Sequence, residues 1–211
     1  MDISLKVAAV TGHYRVAGAV PSMGVARCYP VCPFSTVIGF LESFCGDQPG
    51  AFLRSASKVA LGWVQRPRGG GTLLRMEQSY GNPQDKRLKD AKTQEGWRPA
   101  NREMLFDMVY RIDVEGPYAD KIRRALAGDV NRYGVLSLGD SDDTVDWICE
   151  SSREPAEWLV PGNLFPLTVA VNHKPGNVIA PDIRSFDYSK AADEPPSEAW
   201  VAPEGPKEKG K

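Results

Sequence analysis

The sequence is poor in the residues that most often carry catalysis or bind metal ions. Its 211 residues include only two histidines, which stand 160 positions apart, and four cysteines. Cys28 and Cys32 have no second pair to complete a zinc site, so we expect buried free thiols. Phosphate-loop, serine-hydrolase and zinc-protease motifs are also missing. These absences disfavour an enzyme and predict a protein that uses no metal and no cofactor.

Long apolar runs are missing as well. No stretch approaches the roughly 18 apolar residues that a membrane-spanning helix requires. A content of 42% hydrophobic and 25% charged residues is typical of a globular protein. Residues 1–6 lack the basic and then apolar layout of a secretory signal. We therefore expect a soluble, cytoplasmic protein with one elaborated domain rather than two.

Charge is distributed unevenly, although the formal net charge is only −1. Residues 54–102 contain 11 Lys or Arg against 4 Asp or Glu, whereas residues 139–211 contain 7 against 14. A polyanion is attracted to the first segment and repelled by the second. The sequence therefore predicts that one part of the chain binds nucleic acid.

Hydrophobic periodicity predicts an α+β fold. The pattern alternates with period two in strands and repeats about every 3.6 residues in helices. In chain order it indicates a strand at 3–10, a helix at 35–45, strands at 57–66, 72–80 and 104–114, a helix at 117–127, and a strand at 134–138. Without the strand at 72–80, this order is typical of the ferredoxin-like, RRM-like βαββαβ fold. Gly69, Gly70 and Gly71 are expected to form a hairpin tip between the strands at 57–66 and 72–80.

The predicted organisation has one core domain with additions. Residues 1–150 form the ferredoxin-like domain, and residues 67–101 form a basic β-hairpin or thumb arm inserted between its second and third core strands. Residues 151–192 form a C-terminal β extension, with a strand at 164–171. The tail at 193–211 is rich in Pro, Glu and Lys, so we expect it to be mostly disordered, with Trp200 as the one residue that could anchor it.

The arm mixes cations, which bind phosphates, with aromatic rings, which stack on bases. The start of the first helix offers free backbone N–H groups with no acidic residue in its first turn, although Ser35 could simply cap that helix. The alternative for the arm is a solvated loop whose charges serve solubility. The predicted RNA-binding residues are Tyr14, Arg15, Arg27, Tyr29, Ser35, Thr36, Arg66, Arg68, Arg75, Lys86, Arg87, Lys89, Trp97, Arg98 and Arg102.

Two other functions stay open at this point. A metal-independent endoribonuclease needs a general base, a general acid and a cation, which His13, Tyr14 and a lysine of the arm could supply. A histidine at the end of a strand is more often simply packed. A protein-interaction module is the third hypothesis. The acidic cluster Asp140, Asp142, Asp143 and Asp146 lacks the calcium-loop pattern and is expected to be a solvated turn.

The segment Tyr29–Gly46 resembles the signature P-P-x-S-T-x-x-G-x-L of CRISPR-associated protein family five, with Cys32 in place of the first proline. Residues 98–105 and 138–141 fit the same family in order and spacing, and the resemblance spans about residues 1–150. It implies a RAMP-superfamily RNA-binding fold with a thumb, here residues 67–101. The implied role is to cap the 5′ handle of the guide RNA in type I Cascade.

The resemblance also implies partners and the absence of catalysis. Family members lie beside backbone subunits of family seven and the large subunit of family eight, and contact target DNA indirectly. One subtype processes guide RNA with a tyrosine, a lysine and a histidine. That triad has no counterpart here, where His173-Lys174 occurs in reverse order, so processing by a separate family-six enzyme is implied.

Overall fold

The computed structural model describes residues 2–14, 25–79, 96–132, 134–139, 143–151, 154–170, 173–174, 177–178 and 182–203. For residues 25–26, 75–79, 96–100, 173–174 and 177–178 it describes the backbone alone. No helix in these ranges is long and apolar enough to cross a membrane.

The described elements are mostly strands. The strands are β1 Asp2–Gly12, β2 Val25–Ala26, β3 Lys58–Gln65, β4 Gly69–Ser79, β5 Gly96–Glu115, β6 Val145–Glu150, β7 Ala156–Ala170, β8 His173–Lys174, β9 Asn177–Val178 and β10 Asp182–Ala192. The α-helices are α1 Phe34–Phe44 and α2 Tyr118–Leu126. Short 3-10 turns lie at Leu53–Ser55 and Ser197–Ala199.

Eight of these strands form one sheet, which confirms the predicted α+β class. Its main path runs β10-β7-β3-β5-β1-β6, and neighbours along this path are antiparallel. β5 is 20 residues long and has different neighbours along its length. Its C-terminal half lies between β3 and β1, while its N-terminal half pairs antiparallel with β4 and parallel with β2. This long strand therefore connects the core to the predicted arm.

One face of the sheet, the helix face, packs against α1 and α2. Alternate residues of β5 from Met108 to Val114 are at most 1% exposed, as their period-two pattern predicted. α1 begins after Pro33 and ends before Gly46, whose φ of +68° is the left-handed conformation that terminates many helices. The prediction of this helix from its punctuation is confirmed.

The C-terminal segment covers part of the opposite side of the sheet, the outer face. The Arg111 side chain is 2% exposed, lies 3.0 Å from Asp113, and donates to the backbone carbonyls of Glu154 and Asp193. Its guanidinium lies 5.0 Å from the ring centre of Trp158. These contacts attach Glu154, Trp158 and Asp193 to the outer face.

One predicted strand and one predicted hairpin tip were wrong. Residues 134–138 form only an isolated bridge between Ser137 and Thr144, whereas β6 pairs with β1. Gly69, Gly70 and Gly71 are not a hairpin tip, because they lie within β4 and pair with residues 106–104 of β5. The predicted strand at 72–80 corresponds to the remainder of β4. It pairs with β5 rather than with β3, whose neighbours in the sheet are β5 and β7.

The C-terminal region also differs from its prediction. β7 and β10 continue the main sheet, and β7 begins eight residues before the predicted strand at 164–171. Residues 199–203 of the predicted tail pack on the core, around the expected anchor Trp200, which contacts the cluster of Ala60, Ala156, Trp158 and Ala199. Val201 and Val59 exchange two backbone hydrogen bonds of 2.9 Å, and Ala199 is fully buried. The remainder of the predicted tail, residues 204–211, lies outside the described residues.

Candidate nucleic-acid interface

The predicted arm is built by two strands. Residues 69–79 of β4 pair with residues 106–96 of β5 in one unbroken register. Leu73 is 49% exposed and Leu74 is 64% exposed. Because neighbouring residues of a strand point to opposite faces, exposure of both shows that described residues cover neither face of the arm there.

The register places three predicted cations on one face of this arm. Directly opposite residues of an antiparallel pair share a face, and every second residue returns to it. Arg98 is opposite Glu77, Arg75 is opposite Ala100, and Arg102 is opposite Leu73. Arg75, Arg98 and Arg102 therefore belong to the same face, whereas Trp97, opposite Gln78, belongs to the other.

Glu103 organises the base of the arm. Its carboxylate accepts from Arg27 at 2.6 Å and from the backbone N–H of Cys28 at 3.1 Å. β2, just before these residues, runs alongside Asn101 and Arg102. The Arg27 side chain stays 62% exposed despite its ion pair. Glu103 thus holds a second chain segment, with its arginine, against β5.

Sequence reasoning missed this role of Glu103, although a signal was present. The residue lies in the segment 98–105 that carries the family resemblance, and it is an acid within an otherwise basic stretch. An isolated acid among cations often fixes one of them by an ion pair.

Arg66 and Arg68 lie at the other side of the base, where the chain passes from β3 to β4. The Arg66 guanidinium lies 5.1 Å from the ring centre of Trp63 and 4.8 Å from that of Tyr188. It also contacts Glu157 at 2.5 Å, yet its side chain is 54% exposed. Arg68 is exposed, and its one described side-chain bond is a long one of 3.4 Å to Gln65. Both arginines remain open to an anionic ligand.

The start of α1 has the properties expected of a weak anion site. Its N-cap, Pro33, makes no side-chain capping bond, and the first turn contains no acid. Ser35 and Thr36 are half-buried there. The N-cap residue is Pro33 and not Ser35, so helix capping does not explain why a serine stands at position 35.

Tyr14 and Tyr29 are core residues, at 2% and 5% exposure. The backbone N–H of Tyr29 donates to the Tyr14 carbonyl at 2.7 Å, and burial raises the pKa of the Tyr14 hydroxyl. Neither ring presents a face on which a base could stack. Their place in the structure is to hold the 28–33 segment to the sheet, so we leave both out of the interface.

The remaining predicted residues are only partly described. Arg15, Lys86, Arg87 and Lys89 lie outside the described residues. Arg102 is half-buried. Four predicted arginines lie at the base of the arm on or beside β3, β4 and β5: Arg27 and Arg102 on one side, and Arg66 and Arg68 on the other.

His13, the candidate base of the nuclease hypothesis, is 4% exposed. Its Nδ1 lies 2.6 Å from the carbonyl oxygen of Glu103, and Nε2 is buried with no hydrogen-bond partner among the described residues. A general base must come within hydrogen-bonding distance of the hydroxyl it deprotonates. The packing around His13 gives a substrate no direct access to either nitrogen.

The predicted acidic cluster does not form a common site within the described residues. The prediction of a solvated turn is wrong for Asp143, which is 1% exposed and accepts from Thr11 Oγ1 and the His13 backbone N–H, whereas Asp146 is exposed. Asp140 and Asp142 lie outside the described residues. In the described part of the chain, no group of three His, Cys, Asp or Glu side chains is placed to hold a metal ion.

The cysteines are free thiols. Burial raises the pKa of Cys28 to about 11, and it also raises the pKa of Cys32, so both sulfurs stay protonated near neutral pH. Cys149 is exposed, which differs from the expectation of buried thiols.

The comparison with known proteins finds structures with a similar fold but no matching family. No family model matches the sequence, and no curated protein matches it. The fold is similar to a chain described as "CRISPR RNA-guided surveillance complex", with a TM-score of 0.60 and 16% identity over 94% of this chain and 96% of that one. Another chain, described as "Crystal structure of Cas protein", gives a TM-score of 0.48 and 11% identity over 90% and 94% of the two chains. At 16% identity, the first likeness establishes a shared fold over nearly the whole chain.

Proposed function

We propose that this chain is a non-catalytic guide-RNA-binding subunit of a type I CRISPR surveillance complex, in which it caps the 5′ handle. The observation that carries the proposal is the two-stranded arm, which leaves the sheet with arginines at its base and on one face. The assignment of the RNA as a CRISPR guide is supported by the resemblance to family five and by the fold shared with a chain described as "CRISPR RNA-guided surveillance complex". The partners would be the backbone subunit of family seven and the large subunit of family eight.

The topology supports a ferredoxin-like core of the RAMP type. The elements β1, α1, β3, β5, α2 and β6 follow one another in the order βαββαβ, once the arm strand β4 is set aside. Their sheet order is β3-β5-β1-β6, all antiparallel. In this assignment β6 replaces the segment 134–138 as the fourth core strand.

Electrostatics supports binding of RNA through its phosphates. Arginines at register positions 75, 98 and 102 repeat along one face of the arm, where a strand rises about 3.3 Å per residue. Arginines at alternate positions of the arm are therefore close enough together to contact the phosphates along a single RNA strand. The buried position of His13 favours a binding role over cleavage.

The proposal is tested by reversing charge on the arm. The Arg75→Glu, Arg98→Glu double variant should release guide RNA during purification of the complex. It should also bind a repeat-derived RNA with a weaker salt dependence. The slope should fall by about 0.7 log units of affinity per log unit of salt for each phosphate that the arm no longer neutralises. The measurements are RNA recovered per mole of complex and affinity at several salt concentrations.

Arg184→Glu and Lys58→Glu together provide the control. Both residues are exposed, form ion pairs and lie outside the arm. Because each double variant replaces two cations by two glutamates, the control and the arm variant change the net charge by the same amount. If the control variant retains as little RNA as the arm variant, or if neither changes the salt dependence, the arm does not bind the RNA.

A further inference from the structure

The outer face of the sheet has an uncovered hollow beyond the reach of the C-terminal segment. It has a volume of about 240 Å³, and Ala8, Val10 and Val109 form its apolar floor. Gln65, Asp107 and Asp146 form much of its rim. Trp147 is not one of its lining residues, but it pairs across β1 and β6 with Ala8, which is.

Three irregularities of the sheet coincide at this hollow. The β1–β6 register shifts between Ala8 and Ala9, so that Asp146 has no partner in β1. The β3–β5 register shifts between Trp63 and Gln65. Asp107, within β5, has a φ of +53°, which is rare for a residue with a side chain, and its carbonyl accepts from Gln65 at 2.7 Å. Bulges and strained residues of this kind are over-represented at functional sites.

The hollow combines exposed apolar surface with unpaired negative charge. Val10 is 51% exposed and Trp147 is 40% exposed. Asp107 and Asp146 are also exposed, and no described residue forms an ion pair with either. With Arg68, which also lines the hollow, the three charged residues have a net charge of −1. Lys6, which lies over Trp147, is already paired with Glu154 at 2.6 Å.

We propose that this hollow is the docking site for a protein partner that presents an arginine or lysine next to an apolar residue. The aliphatic stem of such a side chain would lie on Val10 and Val109, with its charged head near Asp107 and Asp146. The Trp147 ring adds an aromatic face that attracts a cation. The site does not depend on the RNA-binding proposal, since it shares only Arg68 with the predicted RNA-binding residues.

Charge and size decide against other occupants. With Asp107, Asp146 and Arg68 lining the hollow, its net charge of −1 disfavours the phosphates of a nucleic acid. The volume of about 240 Å³ is below the roughly 300–1,000 Å³ typical of small-molecule and cofactor sites. A single cationic side chain inserted from a protein surface agrees with both the negative charge and the small volume of the hollow.

The chemistry is tested on the full chain with defined peptides. The probes are acetyl-Gly-Leu-Arg-Leu-Gly-amide and the same peptide with glutamate in place of arginine, titrated into isotope-labelled protein and followed by NMR. The arginine peptide should shift the Trp147 indole N–H and the Val10 methyl signals with saturation. Assignment of the indole uses Trp147→Phe. Absence of saturable shifts, or equal binding of the glutamate peptide, would overturn the proposal.

Matched variants separate a specific site from general attraction. Asp107→Asn with Asp146→Asn should weaken the arginine peptide by roughly fivefold to tenfold. Asp120→Asn with Asp182→Asn makes the same change of charge at exposed residues outside the hollow and should have no effect. Equal weakening by both pairs contradicts a specific site.

A crosslink in the assembled complex identifies the occupant. A photoreactive benzoylphenylalanine at position 147 should crosslink to a protein, and mass spectrometry should find a Lys or Arg beside an apolar residue in the crosslinked peptide. The same group at Ile183, which is also exposed, provides the control. A crosslink at position 147 to RNA, or to no other molecule, would overturn the proposal.

Discussion

Two long hairpins extend from the same sheet, and they differ in what covers them. In the β7–β10 hairpin, Leu167, Val169 and Phe186 are at most 1% exposed, and Phe186 contacts Phe34 at the start of α1 with ring centres 5.1 Å apart. In the β4–β5 arm, Leu73 and Leu74 are exposed and three successive glycines precede them. The first hairpin is part of the core. In the second, the described residues leave Leu73 and Leu74 uncovered.

The largest expected effect concerns the packed hairpin. Phe186→Ala removes a buried ring and should lower the free energy of unfolding by about 3–5 kcal/mol. Chemical denaturation of the purified chain measures this change. A small decrease in stability would contradict the assignment of this hairpin to the core.

A smaller effect is expected at the base of the arm. Glu103→Gln removes one negative charge and weakens the bond to Arg27, a partly exposed ion pair worth about 0.2–1 kcal/mol. RNA affinity should rise severalfold at low salt, because Arg27 is no longer shared with a carboxylate. Titration of a repeat-derived RNA measures the gain. Glu157→Gln, which similarly frees Arg66, tests whether the two sides of the base are equivalent.

The smallest expected effect on stability concerns the exposed leucines. Leu73→Ser and Leu74→Ser should each change the free energy of unfolding by no more than about 0.5 kcal/mol, since neither side chain is buried by described residues. Thermal unfolding of the isolated chain checks this. A destabilisation comparable to that of Phe186→Ala would show that the arm is packed against this chain after all.

The core could be predicted from the sequence because its signals are local. The alternation from Met104 to Val114 and the punctuation of α1 by Pro33 and Gly46 depend on neighbouring residues only. Strand pairing is a different problem. Gly69 to Gly71 are good turn residues, yet β4 pairs with β5 rather than β3, and only the whole sheet shows which edge is available.

The site was predictable only where its signals are local in the sequence. Charge counting found the basic arm, and the register of β4 with β5 then placed Arg75, Arg98 and Arg102 on one face. The burial of Tyr14 and Tyr29 depends on contacts between distant segments, such as the hydrogen bond from the Tyr29 N–H to the Tyr14 carbonyl. The hollow beside Trp147 arises from shifts between strand pairs, which no single segment encodes.

The central claim is that the arm binds the 5′ end of a guide RNA. The most direct measurement is to purify the complex through this chain, crosslink it with ultraviolet light, and sequence the RNA attached to the peptide that spans residues 96–106. We predict that the attached nucleotides fall within the first repeat-derived nucleotides at the 5′ end of a CRISPR guide. Crosslinks spread evenly along the RNA, or located at its 3′ end, would contradict the capping role.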